Sequence, residues 1–187
     1  MSQIVFKKIG LAIIITISVG IWSLLIWEHF HGGVPSHSFL ARKDMPAISN
    51  WWGGLLLPLL TYLTLYRIQK RIGLTGENAA IQVNQLKHIL LFFVAGLMYS
   101  GLMAYFFAVG KADLTSILFQ GLFLLAFFFP LYRAEFFLGF VLGLLYTFGA
   151  ILPTFIASFF ALVSYIAHKY IYVFVLRIFR NKNDRRN

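Results

Sequence analysis

Cysteine is absent from all 187 residues. That excludes disulfides, thiolate metal sites and thiol catalysis, and it leaves no reading of the redox compartment. Acidic side chains are nearly absent as well, with six Asp and Glu against sixteen Lys and Arg. Charge of either sign makes up 12% of the chain, where a soluble domain carries about 25%. No carboxylate falls in the middle of an apolar run. That argues against a proton- or cation-coupled transporter, which needs an ionisable group at depth. What is present is apolar: 60% hydrophobic residues, of which Phe supplies 21. A soluble fold of this size could not hide so much apolar surface from water. The bilayer is the expected solvent, and one membrane domain over residues 1–180 is the expected organisation, with a basic tail at 181–187.

The formal net charge of +10 would suggest nucleic acid if it formed a patch on a soluble face. Here the basic residues stand at the ends of apolar segments. Orientation by the positive-inside rule explains them, with attraction to anionic lipid as a by-product, and no nucleic-acid partner is expected.

Six apolar segments are about long enough to cross the membrane as helices: residues 9–27, 51–66, 88–109, 114–132, 136–152 and 154–177. The first ends in Trp27-Glu28-His29 rather than in small residues, so it reads as a retained span and not a cleaved signal peptide. Pro58 interrupts the second, Gly73 and Gly76 break the chain after it, and Pro153 separates the fifth from the sixth. Alternating spans put Lys7, Lys8, Arg67, Lys70, Arg71, Lys87, Arg133 and the five basic residues from Arg177 to Arg186 on one side. Arg42, Lys43 and Lys111 fall on the other. Twelve against three makes the first side cytoplasmic, with both termini inside. The expected fold is an all-α bundle of six transmembrane helices, placed most simply in a bacterial inner (plasma) membrane. Gly96 and Ser100, and Gly139 and Gly143, stand four apart. Such small faces let helices approach closely, either within the chain or in a homo-oligomer or larger membrane complex.

One stretch is different. Residues 27–54 read WEHFHGGVPSHSFLARKDMPAISNWWGG and hold three of the five histidines and three of the four tryptophans. This loop faces outward by the charge count. His29, His31 and His37 are imidazole donors suited to Zn, Cu or Fe, and a carboxylate from Glu28 or Asp44 can complete the shell or act as general base. Arg42 is placed to hold an anionic group, with Ser36 and Asn50 as further substrate contacts. Ser49 or Asn50 also fits as the N-cap of the second span. His168, inside the last span, is a separate candidate, although a neutral His bonded to a nearby helix accounts for it as well.

The number of spans, with Ser100-Gly101 in the third and Ala167-His168 in the sixth, is similar to rhomboid proteases. The G-x-S-G nucleophile motif of that family is missing. The alkaline ceramidases bind zinc within a helical bundle, but their paired H-x-x-x-H in a late helix has only His168 here. The leading expectation is a metal-dependent membrane enzyme acting on a lipid-like substrate at the outer leaflet. The alternative is a non-enzymatic protein: a small permease, a metal-ion carrier or a packing subunit.

Overall fold

The structure is a computed structural model and describes residues 3–34, 36–38, 47–73 and 83–171. Six helices dominate it: α1 (Gln3–Phe30), α2 (Gly53–Arg71), α3 (Val83–Ala108), α4 (Ala112–Phe128), α5 (Ala134–Phe148) and α6 (Ile151–Ile166). A π-helical turn, Ala167–Ile171, prolongs α6, and a short 3-10 turn, Asn50–Trp52, leads into α2. Between α1 and that turn two three-residue strands, β1 (Ser36–Ser38) and β2 (Ala47–Ser49), pair antiparallel.

Three segments are long and apolar enough to cross a membrane: Gln3–Phe30, Val83–Ala108 and Ile151–Tyr170. At 1.5 Å per residue α1 spans about 42 Å, more than the roughly 30 Å of a hydrocarbon core. The helices α4 and α5 are shorter, with 17 and 15 residues, or about 26 and 23 Å. Helix α4 stops at Phe128 because Phe129 precedes Pro130, and a residue before proline is pushed out of the helical region; Phe129 is extended at φ −121°, ψ 144°. The break between α5 and α6 falls at Gly149, φ 70°, four residues before the proline that the sequence suggested. Pro153 sits in the first turn of α6, where a missing N–H costs nothing.

Short α5 is the centre of the bundle. Phe136, Leu138, Phe140, Val141 and Leu144 are all buried, as are Glu135 and Gly139. A helix apolar on most of its faces must be surrounded, and α5 packs against α2, α3 and α6. The tightest contact is with α3. A Cβ added to Gly139 would run into the carbonyl oxygen of Phe93, and one on Gly96 into that of Phe136. At Gly143 the obstacle is the Ser100 hydroxyl, which donates to the Gly96 carbonyl at 2.8 Å. The two small-residue faces therefore close on each other within the chain.

Several buried polar groups in the bundle are matched. Ser164 is fully buried on α6. Its hydroxyl donates to the Phe129 carbonyl at 2.9 Å and accepts from the Leu131 N–H at 3.0 Å, so it satisfies the α4–α5 turn. At the same end Glu135 is 1% exposed and forms a bidentate ion pair with Arg71, at 2.7 and 3.1 Å. That pair ties the end of α2 to the start of α5, and the Thr64 hydroxyl adds a bond to the Ala134 carbonyl at 3.4 Å.

Candidate functional site at the hairpin end

The chain between α1 and α2 is held at both of its roots. Helix α1 ends because Gly32 and Gly33 adopt φ of 118° and 93°, conformations that residues with a Cβ avoid. The amides of His31 and Gly33 turn back to the Glu28 carbonyl at 3.1 and 3.0 Å. His31 then caps the helix with its side chain. Its Nδ1 lies 2.9 Å from the Trp27 carbonyl, and a carbonyl only accepts, so Nδ1 carries the proton. In the neutral ring the lone pair is therefore on Nε2. A backbone carbonyl that fixes the tautomer in this way is the usual outer partner of a metal-binding or proton-accepting imidazole. The ring stacks on Trp27 with centroids 4.6 Å apart.

His29 points into different company. Its ring meets Phe30 edge-on at 5.3 Å and tilts against Trp51 at 5.9 Å. Trp51 in turn contacts Trp22 at 6.1 Å. This cluster joins the end of α1 to the start of α2 and leaves Trp22, Trp27, Trp51 and Trp52 partly exposed, as in an aromatic belt at a membrane boundary.

Glu28 immediately precedes His29 in sequence and is half-buried. Its Oε2 is buried and has no hydrogen-bond partner among the described residues. An unmatched buried carboxylate oxygen is costly, because water no longer solvates it and nothing replaces the water.

The other root is Asn50, 4% exposed. Its Oδ1 accepts the Ala150 N–H at 3.3 Å and so locks the 3-10 turn onto the α5–α6 turn. Gly149 is required there: a Cβ would collide with the Asn50 amide, and its φ of 70° disfavours one in any case. Asn50, expected to touch substrate, has its amide oxygen engaged in the fold. Ser49 caps the 3-10 turn, its hydroxyl accepting from the Trp51 N–H at 3.4 Å, whereas α2 itself starts after Trp52 without a side-chain cap, so neither Ser49 nor Asn50 is its N-cap.

The strand register sets His37 opposite Ile48 and Ser36 opposite Ser49; the side chains of Ser36 and His37 lie outside the described residues. So do Arg42, Lys43 and Asp44. Among the described residues no three His, Asp or Glu side chains come together as a metal-binding group. His168 is far along the chain, on the π turn. Its Nδ1 bonds the Ser164 carbonyl at 2.9 Å and its ring meets Tyr132 edge-on at 5.7 Å. It is tied to its own helix rather than to a neighbouring one.

Two features escaped the sequence reading. The Arg71–Glu135 pair joins residues 64 apart. The Asn50–Ala150 bond spans 100 residues. The one advance signal for the first was that Glu135 stands immediately before a run of apolar residues, where a carboxylate needs a cation.

The chain matches no protein-family model, no curated protein and no solved structure.

Proposed function

We propose that this is a multi-pass membrane enzyme, metal-dependent and acting on a lipid-like substrate at the outer leaflet, with both termini in the cytoplasm. The orientation rests on the twelve-to-three division of Lys and Arg, and a bacterial inner membrane is the simplest location. The observation that carries the function is the unmatched buried Oε2 of Glu28. A divalent cation would satisfy that oxygen, and His31 offers an Nε2 lone pair three residues away. His29 and His37 are the further imidazole donors of this reading. Glu28, or Asp44, serves as ligand or general base, and Arg42 with Ser36 holds the anionic part of the substrate. A bound zinc would supply an activated water near neutral pH.

The test is elemental analysis of the full chain purified in detergent without chelator. About one equivalent of Zn, Cu or Fe per chain is expected, and His31→Ala should lose most of it. A wild-type protein that holds no metal, even after incubation with each ion and desalting, rejects the metal.

A second reading is a non-enzymatic membrane protein. It is favoured by the aromatic contacts that already engage both described rings, His29 against Trp51 and His31 against Trp27. It requires His31→Ala to leave metal content and every lipid-directed activity unchanged, with only a small loss of stability.

A further inference from the structure

Helices α2 and α6 both pack on α5, and a groove of about 670 Å³ runs between them. It lies at the ion-pair end, away from the hairpin. On α2 it extends from Leu60 to Arg67, and on α6 from Ser158 to Tyr165. Each stretch advances seven residues, or about 10 Å. The two helices run in the same direction, so Arg67 and Tyr165 mark one end and Leu60 and Ser158 the other. Phe137 forms the floor, and Tyr132 closes the end near Arg67.

The groove is amphipathic along its length. Its walls are apolar and open to the side, with Leu63 and Leu162 well exposed. Its Arg67 end is cationic. Among the described residues the Arg71–Glu135 bridge is the one ion pair, so Arg67 has no carboxylate partner there. Tyr165, which lines that end of the groove, accepts from the Lys169 ammonium one turn further along at 2.8 Å. An unpaired guanidinium at the mouth of an apolar channel is complementary to a phosphate carrying a hydrocarbon chain. The volume lies within the roughly 300–1,000 Å³ of small-ligand sites.

We infer that this groove binds one anionic glycerophospholipid, its phosphate on Arg67 and one acyl chain between Leu63 and Leu162. The site is separate from the one around Glu28 and stands whether or not that site holds a metal.

Native mass spectrometry of the full chain tests it, with the protein exchanged into mixed micelles of equal phosphatidylglycerol and phosphatidylcholine. One tightly retained phosphatidylglycerol is expected. Arg67→Gln should lower its apparent affinity about five-fold, the effect of one basic group on anionic lipid. Lys111→Gln, which removes one positive charge at the opposite end, should leave it unchanged. Leu63→Trp keeps Arg67 and fills the channel, and should displace the lipid as well. Equal retention of the two lipids would overturn the proposal. So would an Arg67→Gln loss matched by Lys111→Gln, or full retention by folded Leu63→Trp, since each means that lipid is held by general charge or by the annulus.

Discussion

At one end of the bundle a guanidinium and a carboxylate clamp α2 to α5. At the other, an amide and a set of aromatic rings hold the entry to α2 against α1 and the α5–α6 turn. At the ion-pair end the buried carboxylate is matched: both oxygens of Glu135 are taken up by Arg71, and Ser164 answers both groups of the adjoining turn. At the hairpin end it is not, because Oε2 of Glu28 is buried without a partner among the described residues. Both carboxylates sit at helix ends in an apolar protein, and each would be costly alone. One is matched from within the chain. The other has no match among the described residues, and unmatched groups of this kind gather where proteins bind or react.

The largest effect should come from breaking the ion-pair end asymmetrically. Arg71→Ala leaves a 1% exposed carboxylate without its counter-charge, and is expected to cost about 3 kcal/mol of stability, the low end of the range for a buried pair. The value is low because Arg71 is itself 38% exposed, so water already screens part of the attraction. Glu135→Gln should cost less, about 1–2 kcal/mol, because Arg71 can turn to water and the amide oxygen still accepts. Thermal unfolding in detergent reads both. If Glu135→Gln proves the worse of the two, the buried charge is not what the clamp neutralises.

How much of this could be read in advance follows from the range of the interactions. The six helices were legible because hydropathy is local, and each apolar run needs only its own residues. The end of α1 was legible for the same reason, since Gly32-Gly33 announces it. Ser49 was legible as a cap but not as the cap of the 3-10 turn, because the turn that Asn50–Trp52 inserts before α2 has no signal of its own. The close approach of Gly139 to Phe93 was visible as a small-residue face but not as an internal one, because four-residue spacing does not say which helix answers. The Pro153 break was misplaced because proline is tolerated in a first helical turn, and the signal that mattered was Gly149 facing Asn50. Arg71 with Glu135, and Asn50 with Ala150, could not be read, because each pair is made only once the bundle has closed. At the site, the identity of the histidines was plain, while the direction of each ring depended on Trp27 and Trp51.

A smaller effect tests the hairpin end. Asn50→Ala removes the acceptor for the buried Ala150 N–H and should cost about 1–3 kcal/mol. The loss should appear first as local opening. Amide exchange at Ala150 and in the first turn of α2 should quicken before global unfolding changes. Protection that stays intact there would mean that the aromatic contacts of Trp51 hold this end without the amide.

The smallest change in stability is expected at Glu28, and its sign carries the argument. Glu28→Met replaces an unmatched carboxylate with an apolar side chain of similar length. In the metal-free protein it should leave stability within about 0.5 kcal/mol of wild type or raise it, since an uncompensated polar group is removed and no bond is lost. The same exchange at Glu135 discards a bidentate pair and should destabilise by several-fold more. Adding Zn²⁺ separates the two ends further. Metal that binds the folded state stabilises it by an amount that grows with the logarithm of free metal above the dissociation constant, so the melting temperature of wild type should rise with metal while that of Glu28→Met stays still. If metal-free Glu28→Met instead unfolds as readily as Glu135→Met, the Glu28 carboxylate is held by a partner within the chain. The two ends would then be closed by the same means, and the hairpin end would have no vacant acceptor to offer.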